Sequence, residues 1–532
     1  HGYALIPRVP LTVSGKLDKR ALPTPTRVAE RGHREPTTPT ERRVSAIFAA
    51  LFGGARVGAD DSFFELGGHS LLAARLVAQI RAEFGVDLPV RTVFDAPTPA
   101  ALAGRLVAQF RTEFDIDLDT LDADDAGDAA GDAAGERPQL RVAQRPDRPP
   151  LSHSQAAMWF QHRLRGGDDI FNVGLALRIN GPLDTAALTA AVNDVVSRHE
   201  ALRTDFPDRD GVPYQRVHPA RDLELTVRAI TADRLDATVA ELRRRLFDLE
   251  SEPLIRPTLL VLGPDAHVLL LLMHHMVTDH SSLGVLFDDL LVAYRARLRG
   301  TAPWWTDAPV QFVDYALWQH TAFGVDSPWG AAQLAHWRDA LAAIPAEIAL
   351  AHDRVRPPVL RRNAEVVTCT VPAARRAALT EFAERTGVTE FMVYQAAVAV
   401  LLHTLGGGTD IPVGSPVAAR IDPAAANLIG PCANVVVLRN NLAGDPTLRD
   451  TVTRGRDVVL DALEHQELPT ERVVEALNPV RSPARDHPLF QAAIQFRGDD
   501  WALQPRDLTG TGETTVTPLP MEFERALLDL SV

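Results

Sequence analysis

Two adjacent histidines close an apolar run, and an aspartate follows: His267–Leu291 reads HVLLLLMHHMVTDHSSLGVLFDDLL. An imidazole titrates near working pH, at about 6.5 when unperturbed, which suits proton transfer. Val268–Met273 has the length and composition of a strand. Small residues come after Asp279, then an amphipathic helix with Leu283, Leu286, Leu290 and Leu291 on one side. A strand that stops in a polar turn before a helix places side chains at the rim of a sheet, where α/β folds build sites. Neighbouring strand residues point to opposite faces, so His274 and His275 do not both line one cleft. One is expected to be structural and the other free for chemistry. Spacing favours His275, because His275-x-x-x-Asp279 is a compact pair across a turn. The carboxylate there either fixes the imidazole or anchors the turn on an arginine. Two other readings stay open. One is a pair of satisfied buried histidines. The other is a metal site of His275, Asp279 and His280, which has no further His/Cys cluster nearby to complete it.

The elements that position these residues belong to a long chain. Its 532 residues suggest three or four units at about 150 residues per domain. Hydrophobic residues make up 46% and charged residues 23%, a globular balance. The net charge of −14 argues against a nucleic acid or an anionic membrane as the main partner. Two cysteines, Cys369 and Cys432, build neither a disulfide framework nor a zinc knuckle. They fit a reducing, cytoplasmic setting. No apolar run approaches the roughly 20 residues of a membrane span, and the N-terminus does not read as a signal peptide.

Residues 24–38 are rich in Pro, Arg, Glu and Thr without periodicity and read as a linker. Pro39-Thr40-Glu41 opens a helix carrying Val44, Ile47, Phe48 and Leu51, stopped by Gly53-Gly54. A second helix carries Leu72, Leu76, Ile80 and Phe84, and a third runs from about Pro99 to Phe110. Together they predict a small helical bundle. Glu113–Glu136 holds ten acidic residues and no Lys or Arg, which predicts an extended, self-repelling tether. Residues 137–150 turn basic and Pro-rich, and a long α/β pattern follows.

HHMVTDH resembles the HHxxxDG motif of nonribosomal peptide synthetase condensation domains, with His280 in place of the glycine. Further stretches resemble other motifs of that family: LSHSQAAMWFQHRL (151–164), with Ser154, Gln155, Trp159 and Phe160 aligned; RHEALRTDF (198–206); and FVDYALWQ (312–319). LIGPCANVVVL (428–438) fits the fifth motif loosely, keeping Ile429, Gly430 and Asn434, with Arg439 next in the chain; Cys432 and Ala433 replace Phe and Val. LEHQELPTERVVEAL (463–477) and RSPARDHPLFQAAIQF (481–496) resemble the sixth and seventh. Upstream, DSFFELGGHSLLA is similar to the carrier-protein motif, and HGYALIPRVPLTVSGKLDKRALP to the last motif of adenylation domains, including its lysine, Lys16.

The resemblance implies a small all-α four-helix carrier bundle followed by an α/β condensation domain of two chloramphenicol-acetyltransferase-like lobes. Its implied bounds are an adenylation tail and linker at 1–34, a peptidyl carrier at 35–111, a flexible linker at 112–148, and a condensation domain at 149–532. The lobes would meet near residue 330, and the second is expected to be incomplete at its C-terminus. The resemblance makes Ser70 the attachment site of 4′-phosphopantetheine. Glycines permit a tight turn there, and a helix N-terminus favours the phosphodiester; the plain alternative is a helix N-cap. Arg420, in GSPVAARID, is implied to pair with Asp279, leaving His275 to face the cleft and His274 beside it. Amide formation between a carrier-bound peptidyl thioester and an aminoacyl thioester is the implied reaction, without metal or nucleotide. Implied partners are an upstream adenylation domain, a downstream aminoacyl carrier and a phosphopantetheinyl transferase. His280 is the departure: glycine permits positive φ or close approach, and histidine adds bulk. Two alternatives follow, a condensation-like platform that recruits a partner enzyme to the carrier-bound peptide, and an epimerisation domain. A heterocyclisation domain is disfavoured, because it would carry DxxxxD.

Overall fold

The computed structural model describes residues 34–54, 56–86, 88–114, 118–120, 137–167, 169–305, 310–350, 365–479, 487–496, 505–519 and 530–532. The adenylation-like motif with Lys16, most of the acidic run and residues 481–486 lie outside them. By packing, residues 1–68 and 95–126 form one unit, and residues 69–94 and 127–532 the other.

In the first unit, helix α1 (Pro39–Leu51) begins on a Thr38 cap with proline at its first position. The periodic apolar residues then face inward, as the spacing predicts: Val44 and Phe48 are fully buried, with Phe63 edge-on to Phe48 at 5.9 Å. Gly68 is needed where it stands, since a Cβ would lie 2.3 Å from the Phe63 ring. The acidic tether starts later than the sequence suggests. Its first residues extend a helix to Phe114, and the turn Leu118–Thr120 follows, where Asp119 accepts from the Thr40 hydroxyl at 2.6 Å and the Thr40 amide at 3.1 Å. A carboxylate with two local donors is held in place and does not act as free tether charge.

In the second unit, helix α2 (Ser70–Phe84) and helix α3 (Val90–Asp95, its last residue falling to the first unit) precede helix α4 (Pro99–Phe114) of the first, so the four helices of the carrier pattern are all formed. Beyond them, α5 (His153–Arg165), α6 (Thr185–Arg198), α7 (Leu235–Arg243), α8 (His280–Leu298), α9 (Phe312–Ala322) and α10 (Pro328–Ala340) accompany a six-stranded sheet. Its long strands are β1 (Asn172–Asn180), β2 (Thr226–Ala229), β3 (Ile255–Gly263) and β4 (Ala266–His274). β4 is central, antiparallel to β1 and β3, with Leu271 opposite Leu175 and Pro257. A strand paired on both edges and covered on both faces reads as a continuous apolar run. Val268 to Met273 are all buried. Each such leucine adds about 1.5–3 kcal/mol of burial free energy.

The second lobe has α11 (Ala373–Thr386), α12 (Glu390–Leu402), α13 (Leu448–Glu464) and α14 (Thr470–Leu477) around a four-stranded sheet. There β5 (Asp410–Val417) and β6 (Asn434–Asn441) pair antiparallel, and Val398, Leu402, Ile411 and Val413 share one core. Two features depart from the bounds read in the sequence. Strands at Arg506–Asp507 and Thr515–Leu519 return to the first sheet, beside β1. Residues 137–148 are also not a free linker. Arg137 bonds Glu467 and Asp422, Arg145 bonds Asp314 and Glu200, and Trp318 donates to the Pro138 carbonyl at 2.7 Å. Buried and half-buried carboxylates in distant segments claimed these arginines, which composition alone does not reveal.

Candidate active site

β4 ends at His274, and from there the two histidines part. His274 is fully buried, ringed by Phe171, Phe247 and His162. Its Nδ1 accepts from the Met276 amide at 3.1 Å. Burial first, then the nearby His162 and His275, pushes its pKa down to about 3. A ring so weakly basic stays neutral and does not take a proton at working pH. His275 donates its amide to the Phe171 carbonyl at 2.8 Å, which fixes its backbone. Its side chain is half-buried, and Nδ1 finds no partner among the described residues. The strand ends at His274 and His275 lies in the turn beyond it, so the two side chains meet different surroundings: one is packed among aromatic rings and the other is half-buried.

Asp279 anchors the turn. It caps α8, accepting from the Ser282 amide at 2.9 Å and the Ser282 hydroxyl at 2.8 Å. Arg420 donates to both carboxylate oxygens at 2.8 Å, and the Ala433 amide to Oδ2 at 2.9 Å. Five donors fill both oxygens, so Asp279 neither orients His275 nor has a lone pair left for an ion shared with His275 and His280. Both partners of the ion pair are about 1% exposed. Burial alone would raise the Asp279 pKa; Arg420 and the Ser282 donors outweigh it and hold the carboxyl below its usual range. Arg420 also donates to the carbonyls of Leu428 and Gly430, each at 3.1 Å.

The surroundings serve this knot. Ala419, just before Arg420, sits at φ +47°, a left-handed backbone that costs an L-residue roughly 1–2 kcal/mol. Gly430 is at φ +153°, and a Cβ there would meet the Phe312 ring at 2.0 Å. The loosely matching fifth motif is explained by Ala433, whose contribution comes from its backbone amide, so its side chain is free to vary. Cys432 is buried beside Arg420 and Asp279, and burial pushes its thiol up to about 12, which keeps it inert. Gln155 donates to the Met276 carbonyl at 2.9 Å and so holds the histidine turn from α5. His199 and Arg198, at the start of the second motif, both reach Asp289 on α8, a scaffold role.

His280 is the first residue of α8, half-buried and with a helical backbone. It is not among the residues with positive φ. The expected backbone cost of replacing glycine here is therefore absent, because the helix starts one residue after its cap. Ser70 is also the first residue of a helix, α2, and is not its cap. His69 takes the cap position with no side-chain bond to the first turn, and Gly67 precedes it at φ +97°. First-turn amides without a side-chain cap suit a phosphodiester on Ser70. The sequence assigned no role to Ser282 and marked Gln155 only as a motif residue. Ser282 had a signal, standing three residues after the cap, but the long-range bond of Gln155 had none.

Comparison with known families matches residues 146–532 to the Condensation domain and residues 42–106 to the Phosphopantetheine attachment site. A dimodular nonribosomal peptide synthase of Bacillus subtilis is 43% identical over 494 residues, 92% of this chain and 20% of that protein. The chain spans between 6% and 20% of the length of the curated relatives it matches. Among solved structures, the X-domain from teicoplanin biosynthesis aligns with TM-score 0.68 and 35% identity, covering 74% of this chain and 87% of that one. The complex of that X-domain with OxyB aligns at TM-score 0.68 and 34% identity, covering 75% and 86%.

Proposed function

This chain belongs to the condensation-domain family of nonribosomal peptide synthesis, with a phosphopantetheine attachment domain ahead of it, and from that premise we propose that it forms amide bonds at His275. The carrier region is of the type that bears covalent 4′-phosphopantetheine. We assign the attachment to Ser70, on its place in the motif and its uncapped helix start. Once attached, that arm supplies the acyl group as a thioester.

The acceptor is an aminoacyl thioester, in this reading delivered by a downstream carrier. Its α-amine, with a pKa of about 8, is partly neutral at working pH and needs no strong base. The amine nitrogen bonds to the thioester carbonyl carbon, the carbon–sulfur bond breaks, and the thiol leaves with a proton. The observation that carries this reading is the contrast at the turn: an Asp279 carboxylate filled by five donors, and a His275 whose Nδ1 has no partner among the described residues. His275 accepts the amine proton or orients the amine toward the carbonyl. General base help of this kind contributes about 10²–10⁴-fold. Alignment of two tethered reactants supplies much of the rest.

A second reading rests on two observations: the X-domain likeness, whose relative is solved with OxyB bound, and the histidine at 280. Here the same fold serves as a platform that recruits a partner enzyme to the carrier-bound peptide. The test loads Ser70 with a peptidyl-pantetheine, supplies a soluble aminoacyl-pantetheine, and follows product by intact mass. Amide formation supports the first reading. Loading without amide across a panel of acceptors contradicts it and favours the platform.

A further inference from the structure

We propose that His336, Asp461 and His465 form a binding site for a divalent transition metal, zinc by preference, which staples α10 to α13. One ligand atom from each lies within 4.8 Å of the other two. Asp461 and His465 stand one turn apart at the end of α13, and His336 faces them from α10, with its Nε2 3.2 Å from Asp461 Oδ2. Two imidazoles and a carboxylate are a donor set that suits zinc with a water in the fourth place. Donors around a tetrahedral zinc sit roughly 3.3–3.5 Å apart, inside the 4.8 Å spread of these three atoms.

The surroundings are those of a metal ligand set. Gln333, nearly buried, places Oε1 2.8 Å from His465 Nδ1. An amide oxygen only accepts, so Nδ1 carries the proton and the Nε2 lone pair is free to ligate. Trp337 donates to the His465 carbonyl at 3.0 Å and fixes its backbone. His336 Nε2 is buried and makes no well-aligned hydrogen bond despite the nearby carboxylate. Asp461 is 51% exposed on its side chain, which leaves an entry path and room for water.

As the side chains stand, the two rings stack with centroids 3.5 Å apart at 14°. Their lone pairs then run side by side, so an ion enters by rotating the His336 ring out of the stack. The sequence reading names no metal here, because the three residues come from two helices far apart in the chain. The site is separate from His275, so its test does not depend on condensation activity.

The test strips the full chain with a chelator, then titrates zinc by calorimetry and records the visible spectrum with cobalt. One equivalent of zinc, tetrahedral cobalt bands and a raised melting temperature are expected. Asp461→Asn, at a half-exposed position that tolerates the change, should weaken zinc at least tenfold, and His336→Gln should abolish the cobalt bands. No zinc bound to the wild type, or the same stoichiometry and affinity in both variants, overturns the proposal.

Discussion

His274 and His275 share a residue type and a peptide bond, yet the molecule treats them as opposites. His274 closes the buried strand, surrounded by aromatic rings, with its basicity largely removed. His275 begins the turn, fixed through its backbone, with its ring Nδ1 unpartnered among the described residues. The same contrast separates the two ends of that turn: among the described residues Asp279 receives five donors, and His275 Nδ1 none. Anchoring contacts gather on the carboxylate, and the proposed chemistry falls to the imidazole. Identical side chains are sorted by where the strand stops and by which long-range partners arrive, rather than by their own chemistry.

The largest effect on stability should come from the anchored end. Arg420→Ala leaves the Asp279 carboxylate buried without its counter-charge, which costs about 3–5 kcal/mol. Denaturant unfolding should show it as a lower midpoint, and a shift under 1 kcal/mol would break the comparison. Gln155→Ala is expected to cost less, about 1–3 kcal/mol, by leaving the Met276 carbonyl unpaired.

Acid should discriminate the two histidines. His274 has a folded pKa of about 3 against about 6.5 unfolded. Between those values the unfolded chain binds the extra proton, so stability rises with pH across that window and is lost as pH falls through it. Other histidines, among them the half-buried His153, are pushed down to about 4 by desolvation and add to the slope. His274→Leu should therefore flatten it by up to one proton, roughly 1.4 kcal/mol per pH unit at most. An unchanged slope would show that His274 is not held neutral. Asp279 acts lower on the scale: its depressed pKa gives stability present above about 4 and lost below. The smallest effect is expected at His280→Gly. Because His280 is already helical, amide formation should stay within tenfold of wild type; a rise from nil to full activity would make the histidine a block.

Much of this was legible in the residues. Val268–Met273 announced its strand, but where that strand stops was not legible: it ends at His274, and His275 lies in the turn. The carrier motif placed Ser70 at a helix start, though as first residue and not as cap, since His69 takes that position. The Asp279–Arg420 pair came from family resemblance, because no local pattern connects residues so far apart. Long-range partners stayed hidden: Gln155 reaching Met276, the Ala433 amide, Arg137 and Arg145 tied to distant carboxylates, and residues 506–519 returning to the first sheet. In each case the partner is chosen by the folded topology, which periodicity and spacing do not encode.

The most direct measurement compares amide formation by wild type and His275→Ala, each loaded at Ser70 and given the same aminoacyl-pantetheine, with folding checked by denaturant midpoint. The account predicts a midpoint within about 1 kcal/mol and a rate lower by about 10²–10⁴-fold. Equal rates in the two proteins would contradict it.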